Sequence, residues 1–264
     1  MIQKMRYLNK NEEDQTIIKI VETLLDKNVP YAGGHRLRNW EKGWKENLNK
    51  GDVIPKYFGK WPVQRLNGEF VMGLTKNYEI NMLYSIIDKL ARKYLKKVDH
   101  IYEFGCGTGH NLLRVERINK SAEYYGLDWS EYARANVTNL GYKSYHFDFF
   151  NPNYKIVLKP NSAVYTVASL EQVGKRYEKF VEYLLKNKPS IVVHIEPIPE
   201  LLDPTKLLDY LSIKYMEKRK YLSGYLEYLK DLEYIGKIEI IEAKRSGIGS
   251  MFIDGYSIIV WKPL

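Results

Sequence analysis

The segment IYEFGCGTGHN, residues 101–111, constrains the fold more than any other part of the chain. A short apolar run, HIYEFG, leads into three alternating glycines, and the helical pattern HNLLRVERI follows them. Glycine permits left-handed backbone conformations and lets a ligand approach the main chain closely. In open α/β sheets a glycine-rich turn between a strand and a helix is a nucleotide-binding position. The segment therefore predicts a parallel α/β sheet with a ligand at its carboxyl edge.

An alternation of strands and helices continues after this segment. The strand patterns AEYYGLD, KSYHFDFF, SAVYTV and SIVVHIEP are separated by helical stretches, which indicates parallel strands joined by crossover helices. The chain closes with KIEIIEAKR and YSIIVWKP, whose loop SGIGSMFIDG favours an antiparallel hairpin. We predict an α/β fold with a doubly wound, Rossmann-like, seven-stranded sheet and a C-terminal antiparallel hairpin. A helical insert at about 198–235 should begin with Asp203 as N-cap and Pro204 in its first turn.

Residues 1–97 are predicted to form a helical N-terminal cap. EEDQTIIKIVETLLDK and NYEINMLYSIIDKLARKYLKK both show the apolar spacing of amphipathic helices. The stretch between them is rich in glycine and proline and holds three of the five tryptophans, which suits a folded lid better than a linker. Residues 98–264 then form the ligand-binding domain.

The composition is that of a globular protein, with 45% hydrophobic and 28% charged residues. No apolar run approaches the ~18–20 residues that span a bilayer, and the N-terminus lacks the apolar core of a secretory signal. Cys106 is the only cysteine and the five histidines show no paired ligand spacing, so neither a disulfide nor a metal is expected. We predict a cytoplasmic protein.

The residues around the glycines disfavour a phosphate ligand. His110 stands where the dinucleotide fingerprint has its third glycine, the Lys-Ser/Thr pair of a P-loop is missing, and Glu103 would repel a pyrophosphate. Asp128 ends the second strand about 20 residues past the glycines, where a carboxylate can accept hydrogen bonds from both hydroxyls of a ribose. Asp148 ends the third strand and can accept from an adenine amine, while Trp129 can pack on a purine. A nucleoside carrying a positive charge or amines fits this pattern best.

The motif EFGCGTG, with acidic residues ending the second and third strands, resembles the class I S-adenosylmethionine-dependent methyltransferases over about residues 98–262. The resemblance implies S-adenosylmethionine as cofactor and S-adenosylhomocysteine as product. It also implies that Glu103 and the Gly105–Gly109 loop line the methionine moiety, that Asp128 binds the ribose and that Asp148 lies near the adenine. The predicted cofactor-binding residues are Glu103, Gly105, Cys106, Gly107, Thr108, Gly109, Asp128, Trp129, Asp148, Phe149 and Ser169.

Candidates for a general base follow the fourth and fifth strands of the core. Glu171 lies in SLEQV after the fourth strand, and His194 and Glu196 share a face at the end of the fifth. An imidazole beside a carboxylate can remove a proton from an oxygen nucleophile, so we predict His194, Glu196 and Glu171 as catalytic residues. In the alternative interpretation His194 packs at the strand end and Glu196 caps a helix.

Aromatic and cationic side chains outside the core predict the acceptor site, for which we select Tyr57, Arg65 and Tyr221. Stacked aromatic rings suit sugars, and the net charge of +9 suits a phosphate-bearing acceptor such as a nucleotide-linked sugar. Our leading hypothesis is O-methylation of a small-molecule or carbohydrate acceptor, similar to methyltransferases of bacterial surface-polysaccharide biosynthesis. An RNA or DNA methyltransferase and a non-catalytic cofactor-binding regulator remain as alternatives, and an NAD-dependent reductase is disfavoured by His110.

Overall fold

The computed structural model describes residues 5–264. The strands in chain order are β1 (Met5–Tyr7), β2 (Val63–Leu66), β3 (Glu69–Gly73), β4 (His100–Phe104), β5 (Glu123–Asp128), β6 (Lys143–His146), β7 (Ser162–Val167), β8 (Ile191–Glu196), β9 (Ile238–Lys244), β10 (Ile248–Ser250) and β11 (Ser257–Pro263). The α-helices are α1 (Lys10–Leu25), α2 (Leu37–Lys50), α3 (Tyr78–Leu90), α4 (His110–Glu116), α5 (Glu131–Asn139), α6 (Glu178–Asn187), α7 (Leu207–Arg219) and α8 (Tyr225–Tyr234). None of the helices between residues 5 and 264 combines the length and the apolar character that a bilayer crossing requires.

Seven strands form one mixed sheet in the order β6-β5-β4-β7-β8-β11-β9. The first five run parallel, and β11 is antiparallel to both β8 and β9. Because successive side chains on a strand point to opposite faces, Ile101 packs on the side of α3, α4 and α5 whereas Tyr102 packs on the side of α6 and α8. The predicted doubly wound sheet with its C-terminal antiparallel hairpin is confirmed.

The N-terminal region contains the predicted helices and also a four-stranded antiparallel sheet, ordered β1-β3-β2-β10, which the sequence analysis did not include. Asn67 and Gly68 join β2 to β3 with φ values of 50° and 85°, the conformation of a type I′ hairpin turn. Strand β10 lies inside the predicted hairpin loop SGIGSMFIDG and pairs with β2. The proposed domain boundary at residues 97/98 is therefore crossed by strand pairing, and the division remains a prediction.

The insert consists of two helices rather than one. Lys220 and Gly224, with φ values of 51° and 73°, end α7 and precede α8. Helix α7 begins at Leu207, so the prediction of Asp203 as its N-cap is wrong: the Asp203 carboxylate instead accepts a hydrogen bond from the Thr205 backbone N–H at 3.0 Å. Such a turn offers the backbone an alternative to the helix, which explains the later start.

Candidate functional site

A cleft of about 320 Å³ opens at the carboxyl ends of β4, β5 and β7, where the strand order reverses. This is the position at which open α/β sheets bind ligands, and the volume is that of a small-molecule site. The cap covers its outer side with side chains from α2 and from residues 55–58. Of the predicted cofactor residues, those that line the cleft are Gly105, Cys106, Gly107, Thr108, Asp128, Trp129, Asp148, Phe149 and Ser169.

The loop after β4 needs glycine both for its backbone conformation and for its close contacts with neighbouring side chains. Gly105 and Gly107 have φ values of 73° and 52°, which side chains disfavour. A Cβ on Gly105 would lie 2.4 Å from Ser169 Cβ, and one on Gly107 would lie 3.0 Å from the Trp44 ring. The loop therefore forms a narrow floor of the cleft, with Ser169 on one side and the cap on the other.

Asp128 is the buried acid at the cleft edge of β5. Its Oδ2 accepts from the Gly107 backbone N–H at 3.1 Å and its Oδ1 accepts from the Ser130 backbone N–H at 2.9 Å. Burial raises the pKa of Asp128 to about 6, although these two hydrogen bonds oppose that effect. Each carboxylate oxygen keeps a further lone pair, so Asp128 can accept from two hydroxyls of a ligand. Just after β6, the neighbouring strand, Asp148 Oδ1 accepts a hydrogen bond from the Phe150 backbone N–H at 2.9 Å.

Two predicted cofactor residues, Glu103 and Gly109, do not line the cleft. Glu103 is fully buried beneath the loop, where it accepts from Asn111 Nδ2 at 2.7 Å and from the Tyr165 hydroxyl at 3.1 Å. Burial raises the pKa of Glu103 to about 8. This geometry does not support a direct contact between Glu103 and a ligand: Glu103 orients Asn111, which does line the cleft.

Two tryptophans of the cap belong to the site although the sequence analysis did not select them. Trp44 lies against Gly107, and Trp40 stacks on Trp44 with ring centroids 5.7 Å apart. The Thr108 hydroxyl donates to the Val53 carbonyl at 2.5 Å, which ties the glycine loop directly to the cap. Tryptophans spaced four residues apart share a helix face, and this spacing was the available signal.

Glu196, at the end of β8, accepts hydrogen bonds from the turn that follows β7. Its Oε1 accepts from the backbone N–H groups of Ser169 and Leu170, at 3.1 and 3.0 Å, and its Oε2 accepts from that of Glu171 at 3.1 Å. Glu196 is fully buried, which raises its pKa to about 7, and it does not line the cleft. The geometry thus matches a capping role instead of the predicted catalytic one.

His194 lies on the closed side of the sheet. The Trp261 indole N–H donates to His194 Nε2 at 3.1 Å, and the Tyr225 hydroxyl lies 2.8 Å from the same nitrogen. Because an indole N–H only donates, Nε2 is the acceptor and the ring proton sits on Nδ1, 2.9 Å from Thr166 Oγ1. Burial lowers the pKa of His194 to about 3. This geometry does not support the prediction of His194 as a general base, because both ring nitrogens are engaged away from the cleft.

Glu171 is the one predicted catalytic residue whose side chain lines the cleft. Its Oε1 accepts from Gln172 Nε2 at 2.7 Å. Burial raises the pKa of Glu171 to about 8, the charge of Glu196 acts in the same direction, and Arg219 and Arg36 oppose it. A carboxyl that titrates near neutral pH at a ligand cleft can exchange protons with a bound molecule.

Of the three predicted acceptor residues, two line the cleft and one does not. Tyr57 and Tyr221 line the cleft. Arg65 is 3% exposed and donates to three backbone carbonyls, one in α7 and two just after β10, at 2.6–3.2 Å. Arg65 therefore fastens β2 to the hairpin loop, a geometry that does not support its prediction as a substrate ligand. Among residues 5–264, no cluster of three or more His, Cys, Asp or Glu side chains could hold a metal ion.

Comparisons with known proteins identify the fold. No protein-family model matches the sequence, and a search of curated proteins finds no match. The N-methyltransferase NodS from Bradyrhizobium japonicum WM9, solved with S-adenosylhomocysteine, is 9% identical and has a TM-score of 0.55 over 85% of this chain and 98% of its own. A geranyl diphosphate methyltransferase, solved with GPP and sinefungin, is 13% identical and has a TM-score of 0.52 over 86% of this chain and 98% of its own. At these identities the likeness is one of fold.

Proposed function

We propose that this chain, which has the fold of the class I S-adenosylmethionine-dependent methyltransferases, transfers a methyl group from S-adenosylmethionine to a small-molecule acceptor. The observation that carries the proposal is the 3.1 Å hydrogen bond from the Gly107 N–H to Asp128. It joins a side-chain-free loop to a buried carboxylate at the switch point of the sheet. A nucleoside with a vicinal diol fits such a pair.

The residues of the cleft suit this cofactor. Asp128 has lone pairs for the ribose hydroxyls, and Trp129 and Phe149 offer flat apolar surfaces for the adenine. Asn111 Oδ1 is buried without a partner among residues 5–264, so it can accept from the ammonium group of the methionine part. When bound, S-adenosylmethionine supplies a methyl group already activated by the positive sulfur.

The chain itself contributes alignment and a place for the acceptor's proton. Trp44 closes the outer wall over Gly107 and limits the access of water to the cleft. Glu171 faces the cleft with a pKa raised to about 8, so it can take the proton that an acceptor hydroxyl releases on methylation. Glu196 holds the backbone of Glu171 in place.

We further propose a carbohydrate acceptor and O-methylation. Tyr57, Tyr221 and Trp40 line the cleft, and aromatic faces of this kind pack well against sugar rings. The enclosed volume of about 320 Å³ suits a small molecule better than a polymer. The sequence resemblance supports a place in surface-polysaccharide biosynthesis, within the cytoplasm.

The net charge of +9 favours one other candidate, a methyltransferase acting on RNA or DNA. One experiment separates the candidates: the protein is incubated with S-adenosylmethionine labelled in its methyl group and with pools of sugar phosphates, nucleotide sugars, tRNA and rRNA fragments. We expect label in a sugar pool, and clearly less label with an Asp128→Asn variant at a sub-saturating concentration of S-adenosylmethionine. Label in RNA would establish the nucleic-acid function instead. Tight binding of S-adenosylhomocysteine without labelled product from any pool would indicate a cofactor-binding regulator.

A further inference from the structure

A second cavity of about 810 Å³ adjoins the cleft on the side of the insert. The two cavities share a wall formed by Gly33, Gln172, Val173 and Tyr221. Behind this wall the cap meets the end of α7, because the Ala32 backbone N–H donates to the Arg219 carbonyl at 2.6 Å. The junction therefore lies beside the wall that the two cavities share.

Two arginines meet at this junction with unused donors. Arg36 Nε and Nη1 and Arg219 Nε are buried and have no hydrogen-bond partner among residues 5–264. Among residues 5–264, the one side-chain hydrogen bond that these two guanidinium groups form is from Arg219 Nη1 to the Tyr215 hydroxyl at 3.1 Å. The arginine ion pairs in that range belong to other arginines, Arg6, Arg114 and Arg245. A buried donor left without an acceptor costs about 1–3 kcal/mol, and more when it is charged. The arrangement is that of a binding site for an anion.

Aromatic rings hold both guanidinium groups. Arg36 lies 5.4 Å from the centroid of the Trp40 ring, and Arg219 lies 5.1 Å from that of Tyr221 and 5.7 Å from that of Tyr215. Such stacking fixes the orientation of a cation without neutralising it. The donors are thus positioned in advance of any ligand.

The local charge indicates which anion fits. Burial and the charge of Arg219 both lower the pKa of Arg36, which shows that the two cations are close, and Glu171 is the acid that acts on both of them. The nearest acid, Glu171, has its pKa raised to about 8 and carries little charge at neutral pH. Two positive charges without a counter-ion match a phosphate monoester, which carries about −1.5 to −2 at pH 7, better than a single carboxylate.

We propose that Arg36 and Arg219 bind a phosphate group of the methyl acceptor, so that its accepting atom reaches Glu171. This inference rests on the proposed function and narrows its substrate class to phosphorylated small molecules, including sugar phosphates and nucleotide sugars. The phosphate group anchors the acceptor at the wall between the cavities, and its uncharged part extends into the cleft beside Tyr221. Neither arginine takes part in the transfer itself.

The test is calorimetric titration of inorganic phosphate into the full chain, with and without S-adenosylhomocysteine, at constant ionic strength. We expect one phosphate site in the wild type, weakened about tenfold or more in Arg36→Gln and in Arg219→Gln, which remove charge-assisted hydrogen bonds. Arg38→Gln removes the same charge from an exposed position two residues away and should leave phosphate binding unchanged. Thermal melting verifies that each variant is folded, and the wild-type titration stands even where a variant is not.

Three results would overturn the subsite: no phosphate binding to the wild type, equal binding to the Gln variants and the wild type, or acetate binding as tightly as phosphate. Titration with S-adenosylhomocysteine separates this failure from that of the proposed function. Normal cofactor-product binding without phosphate binding would contradict the subsite alone. Absence of S-adenosylhomocysteine binding in a folded wild type would contradict the proposed function.

Discussion

The Glu171 backbone N–H donates to Glu196 Oε2 at 3.1 Å, so the end of β8 holds the residue that faces the cleft from the turn after β7. The same carboxylate accepts from the backbone N–H groups of Ser169 and Leu170. These three converging hydrogen bonds fix the turn that follows β7. The position of Glu171 thus depends on a neighbour that does not line the cleft.

Replacing Glu196 with glutamine should weaken both stability and turnover. The amide nitrogen cannot accept, so part of the hydrogen bonding to residues 169–171 is lost, and we expect a decrease of about 1–3 kcal/mol in the free energy of unfolding. Removing the charge should also lower the pKa of Glu171 and shift the pH dependence of turnover to lower pH. Urea unfolding and a pH–rate profile measure these effects. Glu182→Gln, an exposed change on α6, is the control, and wild-type behaviour of Glu196→Gln would contradict the assignment.

Turnover should rise with pH through about 8 and level off above it, because Glu171 accepts a proton only when it is ionised. In Glu171→Gln we expect this rise to disappear and turnover to fall about a hundredfold or more, with S-adenosylhomocysteine affinity unchanged. The measurement is a pH–rate profile on the acceptor identified by label transfer, together with calorimetry. An unaltered profile in this variant would show that Glu171 is not the base.

His194→Ala should destabilise the protein without changing the chemistry. The substitution deprives the Trp261 indole N–H and the Tyr225 hydroxyl of their buried acceptor, at a cost of about 1–3 kcal/mol in unfolding free energy. Turnover per folded molecule, and its pH dependence, should match those of the wild type. Loss of one limb of the pH–rate profile in a folded His194→Ala variant would return His194 to the catalytic residues.

The free energy of unfolding should fall as the pH rises from 6.5 to 8. Burial raises the pKa of Glu103 and Glu171 to about 8 and that of Glu196 to about 7, so the folded state retains protons that the unfolded chain has released. His110 and His194 have pKa values lowered to about 3 in the folded state, so near pH 6.5 the unfolded chain binds more protons at these two residues and they oppose the trend. The three carboxyls outweigh them, and the opposition disappears as the pH approaches 8. Each protonated carboxyl contributes a slope of up to about 1.4 kcal/mol per pH unit.

Urea unfolding at several pH values between 6.5 and 8 measures the expected decrease in the free energy of unfolding. Glu103→Gln replaces one of the titrating carboxyls by a neutral group of the same shape, so the slope in this variant should be shallower. A free energy of unfolding that stays level or increases over the interval would contradict the raised pKa values.

The sheet could be predicted from sequence because its parallel strands are local signals: each is a short apolar run bounded by a turn and followed by a helix. The position of Asp128 at the cleft could be predicted for the same reason, since the carboxyl end of a strand beside a glycine loop has a defined place in this architecture. Strand β10 was missed because its partner β2 lies far away in the chain. Only the Asn67-Gly68 turn gave a local sign of the N-terminal sheet.

The positions of His194 and Glu196 differ from those predicted from the sequence for a common physical reason. Alternation along β8 shows that the two side chains share a face, but both faces of a central parallel strand are covered. Whether His194 faces a ligand or the core depends on α8 and on Trp261 of β11, which cover it. These contacts form only in the folded chain. The pairing of Arg36 with Arg219 was likewise beyond sequence analysis, because the two come together only where the cap meets α7.

The central claim is that the glycine loop and Asp128 hold an adenosyl ligand, and calorimetric titration with S-adenosylhomocysteine tests it most directly. We predict one binding site in the wild type, a loss of about tenfold or more in affinity (about 1.4 kcal/mol) in Asp128→Asn, and unchanged affinity in the exposed control Glu131→Gln. A folded wild type that binds neither S-adenosylhomocysteine nor S-adenosylmethionine, but binds NADH or ATP tightly, would contradict the account.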